Sequence, residues 1–268
     1  MQGPYPIFCR GHSGGRLVCE AFIRNGISMG NVTRAHKDSE FFSIRTNEKI
    51  RELILHAYDY LNAEAAAQLR LQAVMKQAVT EFVAAEIQHE GRLGWKIDPT
   101  LFTLPVFMEA FPRAKAVHVI RDGRDVMLSR LDARIEHLDD PVNRVMVFGS
   151  AEVETFMGRP INLEKTIKKL RNELEILHWV TAVEYGLHGR KYGDRYLEVK
   201  YEDLCAAPLA QFQMIFEFVG VPFLDETKAW LRQAASTNRI GKWKTLPEEL
   251  LAAPLQIGGA LLRKLGYL

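Results

Sequence analysis

The stretch Ala116-Val117-His118-Val119-Ile120-Arg121-Asp122-Gly123-Arg124-Asp125-Val126 decides the fold. Its first five residues are mostly apolar and rich in β-branched side chains, the composition of a strand buried on both faces. Such a strand needs a parallel sheet with helices packed on each side. Arg121 to Asp125 then reads as a polar turn, with a helix starting at Val126. Arg121 therefore stands at the carboxyl end of a buried strand, where open α/β sheets bind ligands. A lone Arg-Asp pair on a surface is of little energetic value. Two basic residues at a strand end beside a glycine loop are a stronger signal.

Working outward, Pro6-Ile7-Phe8-Cys9 reads as a short strand broken by Gly11-His12-Ser13-Gly14-Gly15. Leu17, Val18, Ala21 and Phe22 follow at helical spacing. Residues 48–90, rich in Ala, Leu, Glu, Gln and Lys, read as helices. Trp95-Lys96-Ile97 is expected as a short buried strand ended by Asp98-Pro99, and Leu101 to Phe111 as a helix stopped by Pro112. A long helix is expected from Asn162, its N-cap, to Tyr185. Tyr196 to Tyr201 alternates as a strand, and Pro208 to Val219 and Lys228 to Ala235 read as helices. Strands separated by helices give an α/β chain of three layers, a central parallel sheet flanked by helices. No repeat, low-complexity tract or Gly/Ser linker divides it, so residues 1–268 are expected to form a single domain.

Composition sets the outer bounds. A 268-residue chain that is 47% hydrophobic can bury one sizeable core. A net charge of +2 gives no global pull toward nucleic acid or membrane surfaces, so anion binding must come from local clusters. Cys9, Cys19 and Cys205 are odd in number and far apart, which suits buried thiols rather than disulfides or zinc. No signal peptide or membrane-spanning stretch is legible, and a cytoplasmic protein is expected.

A glycine-rich turn between a strand and a helix gathers backbone N–H groups where the helix dipole favours negative charge. Ser13, Gly14 and Gly15 would wrap a phosphate there, and Arg16 adds a cation. By itself the pattern serves equally well to make a turn. A standard nucleotide hydrolase is disfavoured, because its loop needs Lys and Ser/Thr where Arg16-Leu17 stands. The same residues match GxSxG, the nucleophile elbow of α/β-hydrolases. That elbow follows several strands of its sheet, and ten residues precede this one.

These segments together resemble the PAPS-dependent sulfotransferases, where PAPS is 3'-phosphoadenosine-5'-phosphosulfate, and in particular their bacterial branch. The resemblance rests on the PIF strand, the glycine loop, VIRDGRDVMLSRL, YLEVKYEDL, FEFVGVPF and NRIGKWK, and runs through the final LLRKLGYL. It implies a P-loop-like fold, PAPS as co-substrate, PAP (the desulfated nucleotide) as product, and no metal. It also implies a phosphosulfate loop at His12, Ser13, Gly14, Gly15 and Arg16, and a 3'-phosphate site at Arg121 and Ser129. Tyr201 would lie near the adenine, with Arg239, Gly241 and Lys242 closing on the 3'-phosphate. Planar guanidinium forks suit phosphate oxygens. Family loops usually read Arg/Lys-Ser-Gly-Thr-Thr. Here a histidine replaces the basic residue and two hydroxyls are lost.

Sulfuryl transfer needs a cation on the departing phosphate and a base for the acceptor proton. Lys96 is favoured for the cation, matching a lysine before a proline at the end of the family's second strand, with His12 the other candidate. Asp38, Glu40 and Asp98 are the candidate bases. His118, inside an apolar strand, reads as a satisfied core histidine. The expected activity is transfer to a hydroxyl or amine of a small-molecule, glycan, lipid or peptide acceptor. The alternatives are a PAPS- or nucleotide-binding protein without catalysis and a serine hydrolase using Ser13.

Overall fold

The computed structural model describes residues 3–86, 91–129, 137–149 and 170–268. Three strands, β1 (Ile7–Cys9), β2 (Ala116–Ile120) and β3 (Tyr196–Lys200), form a parallel sheet in the order β1-β2-β3. Phe8 sits opposite His118, and His118 opposite Glu198. The helices are α1 (Gly15–Arg24), α2 (Glu48–Leu55), α3 (Ala57–Asn62), α4 (Ala65–Glu86), α5 (Leu104–Ala110) and α6 (Gly123–Ser129). They continue as α7 (Pro141–Phe148), α8 (Arg171–Leu187), α9 (Tyr201–Ala206), α10 (Pro208–Val219), α11 (Asp225–Ala234) and α12 (Glu248–Lys264). Among the described residues no helix is long and apolar enough to cross a membrane.

Strand periodicity of two sorts the core into layers. Ile7, Cys9, Val117, Val119 and Val199 pack against Phe22 of α1, Phe216 of α10 and Leu231 of α11. Phe8, Ala116 and Tyr196 face the other way, onto Leu53 of α2, Phe82 of α4 and Phe107 of α5. Each Val, Leu, Ile or Phe side chain among them, fully buried, contributes about 1.5–3 kcal/mol. A third cluster, with Ile120, Val126, Trp179 and Leu262, packs α6, α8 and α12 together beyond the end of β2. The sheet therefore presents its carboxyl ends against fixed helices, which is what an anion site requires.

Several expected boundaries move. Trp95-Lys96-Ile97 makes a single parallel bridge, Ile7 with Lys96, and no strand. The Ile7 N–H donates to the Trp95 carbonyl at 2.9 Å, but the Lys96 carbonyl accepts from the Ser39 N–H at 2.7 Å. Asp98-Pro99 then opens a 3₁₀ turn, Asp98–Thr103, leaving nothing to extend the ladder. The helix expected over 101–111 is this turn followed by α5, with Pro105 in its first turn, where the missing N–H is harmless. The helix expected from Val126 begins at Gly123, because the Asp122 carboxylate accepts the Arg124 N–H at 2.9 Å and caps it upstream.

Tyr201 belongs to α9 rather than to β3, and the helix expected from Lys228 starts at Asp225, with Asp225 and Glu226 in its first turn. Of the helix expected over 162–185, α8 covers the described part and runs on to Leu187, while Asn162 lies outside the described residues. His118 is the core histidine the sequence suggests, but only one of its ring nitrogens is satisfied, since Nε2 is buried with no partner among the described residues. Its Nδ1 lies 2.6 Å from the Tyr196 hydroxyl, and burial pulls its pKa down to about 4. The three cysteines are buried and free.

Candidate anion-binding and transfer site

The loop after β1 is built around close approaches that only glycine allows. Gly14 has φ 93°, and a Cβ there would lie 2.1 Å from Cδ2 of Tyr201. A Cβ on Gly15 would meet Sγ of Cys9 at 2.5 Å and Cε of Lys96 at 3.0 Å, and one on Gly11 would meet Oδ2 of Asp98 at 2.7 Å. Tyr201, Lys96 and Asp98, far apart in sequence, thus converge on this one loop. His12 takes φ 67°, a left-handed conformation that costs a non-glycine residue free energy and is typical of functional turns. The Ser13 hydroxyl is buried with no hydrogen-bond partner among the described residues, an arrangement that burial penalises unless a ligand or a water completes it. Arg16 is exposed and donates to the Ala35 carbonyl at 3.1 Å.

Lys96 is 7% exposed. Its ammonium pairs with Asp38 Oδ1 at 2.5 Å and donates to the His36 carbonyl at 3.3 Å. Burial alone would depress the Lys96 pKa, but the neighbouring Cys9, Asp38 and Asp98 outweigh it and raise it. Burial raises the Asp38 carboxyl, against the pull of Lys96 and with some help from Asp98. Asp38 is held in a small turn closed by an antiparallel bridge between Val32 and Ser39. Asp98 is half-buried at the start of the 3₁₀ turn. Glu40, by contrast, is exposed, and the ion pair to Lys96 is made by Asp38.

At the end of β2, Arg121 is 4% exposed and is a hub. Nη1 donates to the His12 carbonyl at 3.0 Å, Nη2 donates to the Arg239 carbonyl, and the guanidinium lies 4.8 Å from the centre of the Tyr201 ring. Its Nε is buried without a partner. Asp125 Oδ2 lies 3.6 Å from Nη2. Arg124 is held by Asp122 at 2.7 Å and stacks on Trp243 at 3.6 Å. Ser129 ends α6, half-buried, about two turns beyond Arg121. Gly241 (φ 73°) opens the short turn Lys242–Thr245, with Arg239 and Lys242 exposed beside it.

Three further residues, not singled out from the sequence, hold these parts. Glu175 and Trp179, four apart on α8, brace the glycine loop and the Arg121 hub respectively. Glu175 pairs with buried Arg10 at 2.7 Å, directly before the loop, and Trp179 Nε1 donates to the Arg121 carbonyl at 2.9 Å. A Cβ on Gly123 would lie 2.4 Å from Trp179, so the glycine in RDGRD is a packing requirement. Asp125 binds the Gly241 and Trp243 N–H groups. A second carboxylate in the first turn of α6 was the available signal for Asp125; nothing in the sequence pairs residue 10 with 175.

Among the described residues no group of three or more His, Cys, Asp or Glu side chains is arranged to hold a metal ion. The combination of a glycine loop, a buried Lys–Asp pair against it and an arginine hub can bind two anionic groups and present a cation and a carboxylate between them.

Comparison with known proteins matches residues 27–226 to the Sulfotransferase family; the match begins after the glycine loop. Carbohydrate sulfotransferase 4 of Mus musculus is 26% identical over 182 residues, 61% of this chain and 44% of its own. The omega-hydroxy-beta-dihydromenaquinone-9 sulfotransferase Stf3 of Mycobacterium tuberculosis (strain CDC 1551 / Oshkosh) is 26% identical over 166 residues, 61% of this chain and 37% of its own. The chain spans less than half the length of these relatives. The fold is shared with the sulfotransferase STF9 from Mycobacterium avium, with a TM-score of 0.53 at 13% identity over 98% of this chain and 76% of that one. It is shared too with the sulfotransferase domain of the Synechococcus PCC 7002 olefin synthase, with a TM-score of 0.50 at 18% identity over 97% and 96%.

Proposed function

Because the chain belongs to the Sulfotransferase family, we infer that it moves a sulfuryl group from PAPS to a hydroxyl or amine of an acceptor, by in-line displacement and without a metal. The observation that carries this reading is the Lys96–Asp38 pair set against the N-terminus of α1, beside a buried arginine hub. The residues present fit the donor. The Ser13 hydroxyl and the Arg121 Nε are both buried and unpartnered, and a phosphate oxygen would satisfy each.

In this reading His12, Ser13, Gly14, Gly15 and Arg16 hold the phosphosulfate end. Arg121, Ser129, Arg239, Gly241 and Lys242 hold the 3'-phosphate, and Tyr201 covers the nucleotide. PAPS supplies the activated sulfuryl group. Lys96 keeps its positive charge beside the loop, where negative charge grows on the leaving side, and a fixed cation there is worth most in the transition state. His12 is the alternative cation. Asp38 is the leading base, since it pairs directly with Lys96 and its raised pKa makes it a better proton acceptor. Asp98 also favours the charged form of Lys96.

The names of the relatives direct attention to carbohydrate and hydroxylated lipid acceptors first, with peptides and small alcohols after them. The three buried free thiols suit a reducing compartment, and the cytoplasm is the proposed location.

The test is incubation with radiolabelled PAPS and a panel of these acceptors, with PAP and AMP compared in thermal shift. Label transfer, with PAP stabilising the fold more than AMP, is expected. Equal stabilisation and no transfer would sink the reading. PAP preference without transfer to any acceptor would favour a nucleotide-binding protein without catalysis, a reading motivated by the altered loop His12-Ser13-Gly14-Gly15-Arg16. A serine hydrolase is disfavoured because, among the described residues, no base lies within hydrogen-bond reach of the Ser13 hydroxyl.

A further inference from the structure

Asp125 lies in the first turn of α6, 2% exposed. Both of its carboxylate oxygens are spent on backbone from near the other end of the chain. Oδ2 accepts the Gly241 N–H at 2.7 Å, and Oδ1 accepts the Trp243 N–H at 3.2 Å. One is the N–H of Gly241, the cap residue of the turn Lys242–Thr245, which supplies no side chain of its own, and the other is the N–H of the turn's second residue. Asp125 therefore caps that turn from another element, doing what a local Asp or Ser does for an ordinary helix.

Apart from Trp243, which packs on the cluster of Ile120, Val126, Trp179 and Leu262, the segment it caps lies at the surface. Ser236, Thr237, Asn238, Arg239 and Lys242 are all exposed. The bonds that cross from Arg239–Trp243 to the rest of the fold start from one short stretch of chain. They are Arg121 to the Arg239 carbonyl, Asp125 to two N–H groups, and the Arg124 guanidinium on the Trp243 ring. Asp125 also lies 3.6 Å from Nη2 of Arg121, four residues upstream and just before α6. A charged acceptor forms stronger hydrogen bonds to N–H groups than a neutral one. Removing it leaves two donors to find water and lets the segment open.

We propose that Asp125 is a positioning residue: it latches the Arg239–Trp243 segment down beside Arg121, and so sets affinity for the 3'-phosphate of the nucleotide without touching it. The proposal rests on the reading of this site as a PAPS site. A latch of this kind has a specific signature. Loosening it should cost the ligand that reaches the segment, PAP, and spare the ligand that lacks the 3'-phosphate, AMP. It should also expose Arg239, Lys242 and Lys244 to trypsin.

The experiment uses Asp125→Asn in the full chain, with PAP and AMP affinities measured by calorimetry and tryptic cleavage followed by mass spectrometry. PAP affinity should fall tenfold or more while AMP affinity stays within about threefold. Cleavage after Arg239, Lys242 or Lys244 should accelerate in the ligand-free variant relative to wild type. A variant that is merely less stable, with an unchanged PAP-to-AMP affinity ratio and an unchanged cleavage pattern, overturns the proposal. Hydrogen exchange on the unmodified protein provides a measurement that does not depend on the variant folding. The Gly241 and Trp243 amides should exchange slowly despite lying in an exposed segment, and more slowly with PAP. Complete exchange of both at the first time point overturns the latch. Failure of the parent reading looks different: wild type would not distinguish PAP from AMP, while slow exchange and the cleavage difference would still report the latch.

Discussion

The Arg121 guanidinium, at the end of β2, donates to the carbonyl of His12 in the glycine loop at 3.0 Å. The two proposed anion arms are therefore mechanically joined. His12 is in a left-handed conformation, and Arg121 holds its peptide in place from outside the loop.

Arg121→Ala should therefore weaken both nucleotides, unequally. PAP should lose roughly 2–4 kcal/mol, the usual cost of truncating one partner of a buried charge pair. AMP should lose a smaller amount, about one order of magnitude in affinity at most, because the loop that grips its 5'-phosphate loses its brace at His12. Calorimetry on both ligands reads the ratio. An unaffected AMP affinity would mean that the His12 contact does not shape the loop.

Lys96→Met separates catalysis from packing. The side chain is buried against Gly15, and a methionine of similar length keeps most of that contact. PAP affinity should stay within about threefold, and turnover should drop on the order of a hundredfold or more, the signature of a lost transition-state contact. Single-turnover rates on the folded fraction measure it. Unchanged turnover there would transfer the role to His12.

Among the candidate bases the geometry ranks Asp38 above Glu40. Asp38→Asn should cost on the order of a hundredfold or more in turnover, within the range for loss of a general base, whereas the exposed Glu40→Gln should cost only a few-fold. The sign of the pH dependence follows from the raised Asp38 pKa. The base must be ionised, so in wild type the acid limb of turnover should lie above the ordinary aspartate value of 3.8, and activity should rise with pH through it. A pH–rate profile retaining that limb in Asp38→Asn would move the base elsewhere.

His118 predicts an acid weakness in the fold itself. Unfolded, it takes up a proton near 6.5; buried against Tyr196 and Gly186, it does so only near 4. Its contribution is complete above pH 6.5 and is lost as pH falls toward 4, at no more than about 1.4 kcal/mol per pH unit. Denaturant unfolding between pH 7 and 4.5 should show that slope. His118→Gln, though less stable at neutral pH, should show a flatter one.

The sequence by itself determined the parallel α/β architecture, because the runs 6–9 and 116–120 are short and apolar, 196–201 alternates as a strand does, and helical segments separate them. It also located the glycine loop, the RDGRD turn and the NRIGKW segment, since local composition suffices to mark turns and charges. Local pattern could not decide where Lys96 ends the ladder, because that depends on its carbonyl finding Ser39. Nor could it rank Asp38 above Glu40, two residues apart in one loop. Only the tertiary fold turns one onto a buried ammonium and the other into water. The braces Arg10–Glu175, Trp179–Arg121 and Asp125–Gly241 were likewise beyond it. Each joins residues more than fifty positions apart. Such pairs exist only once the layers have packed, because burial both brings the groups together and makes leaving them unpaired costly.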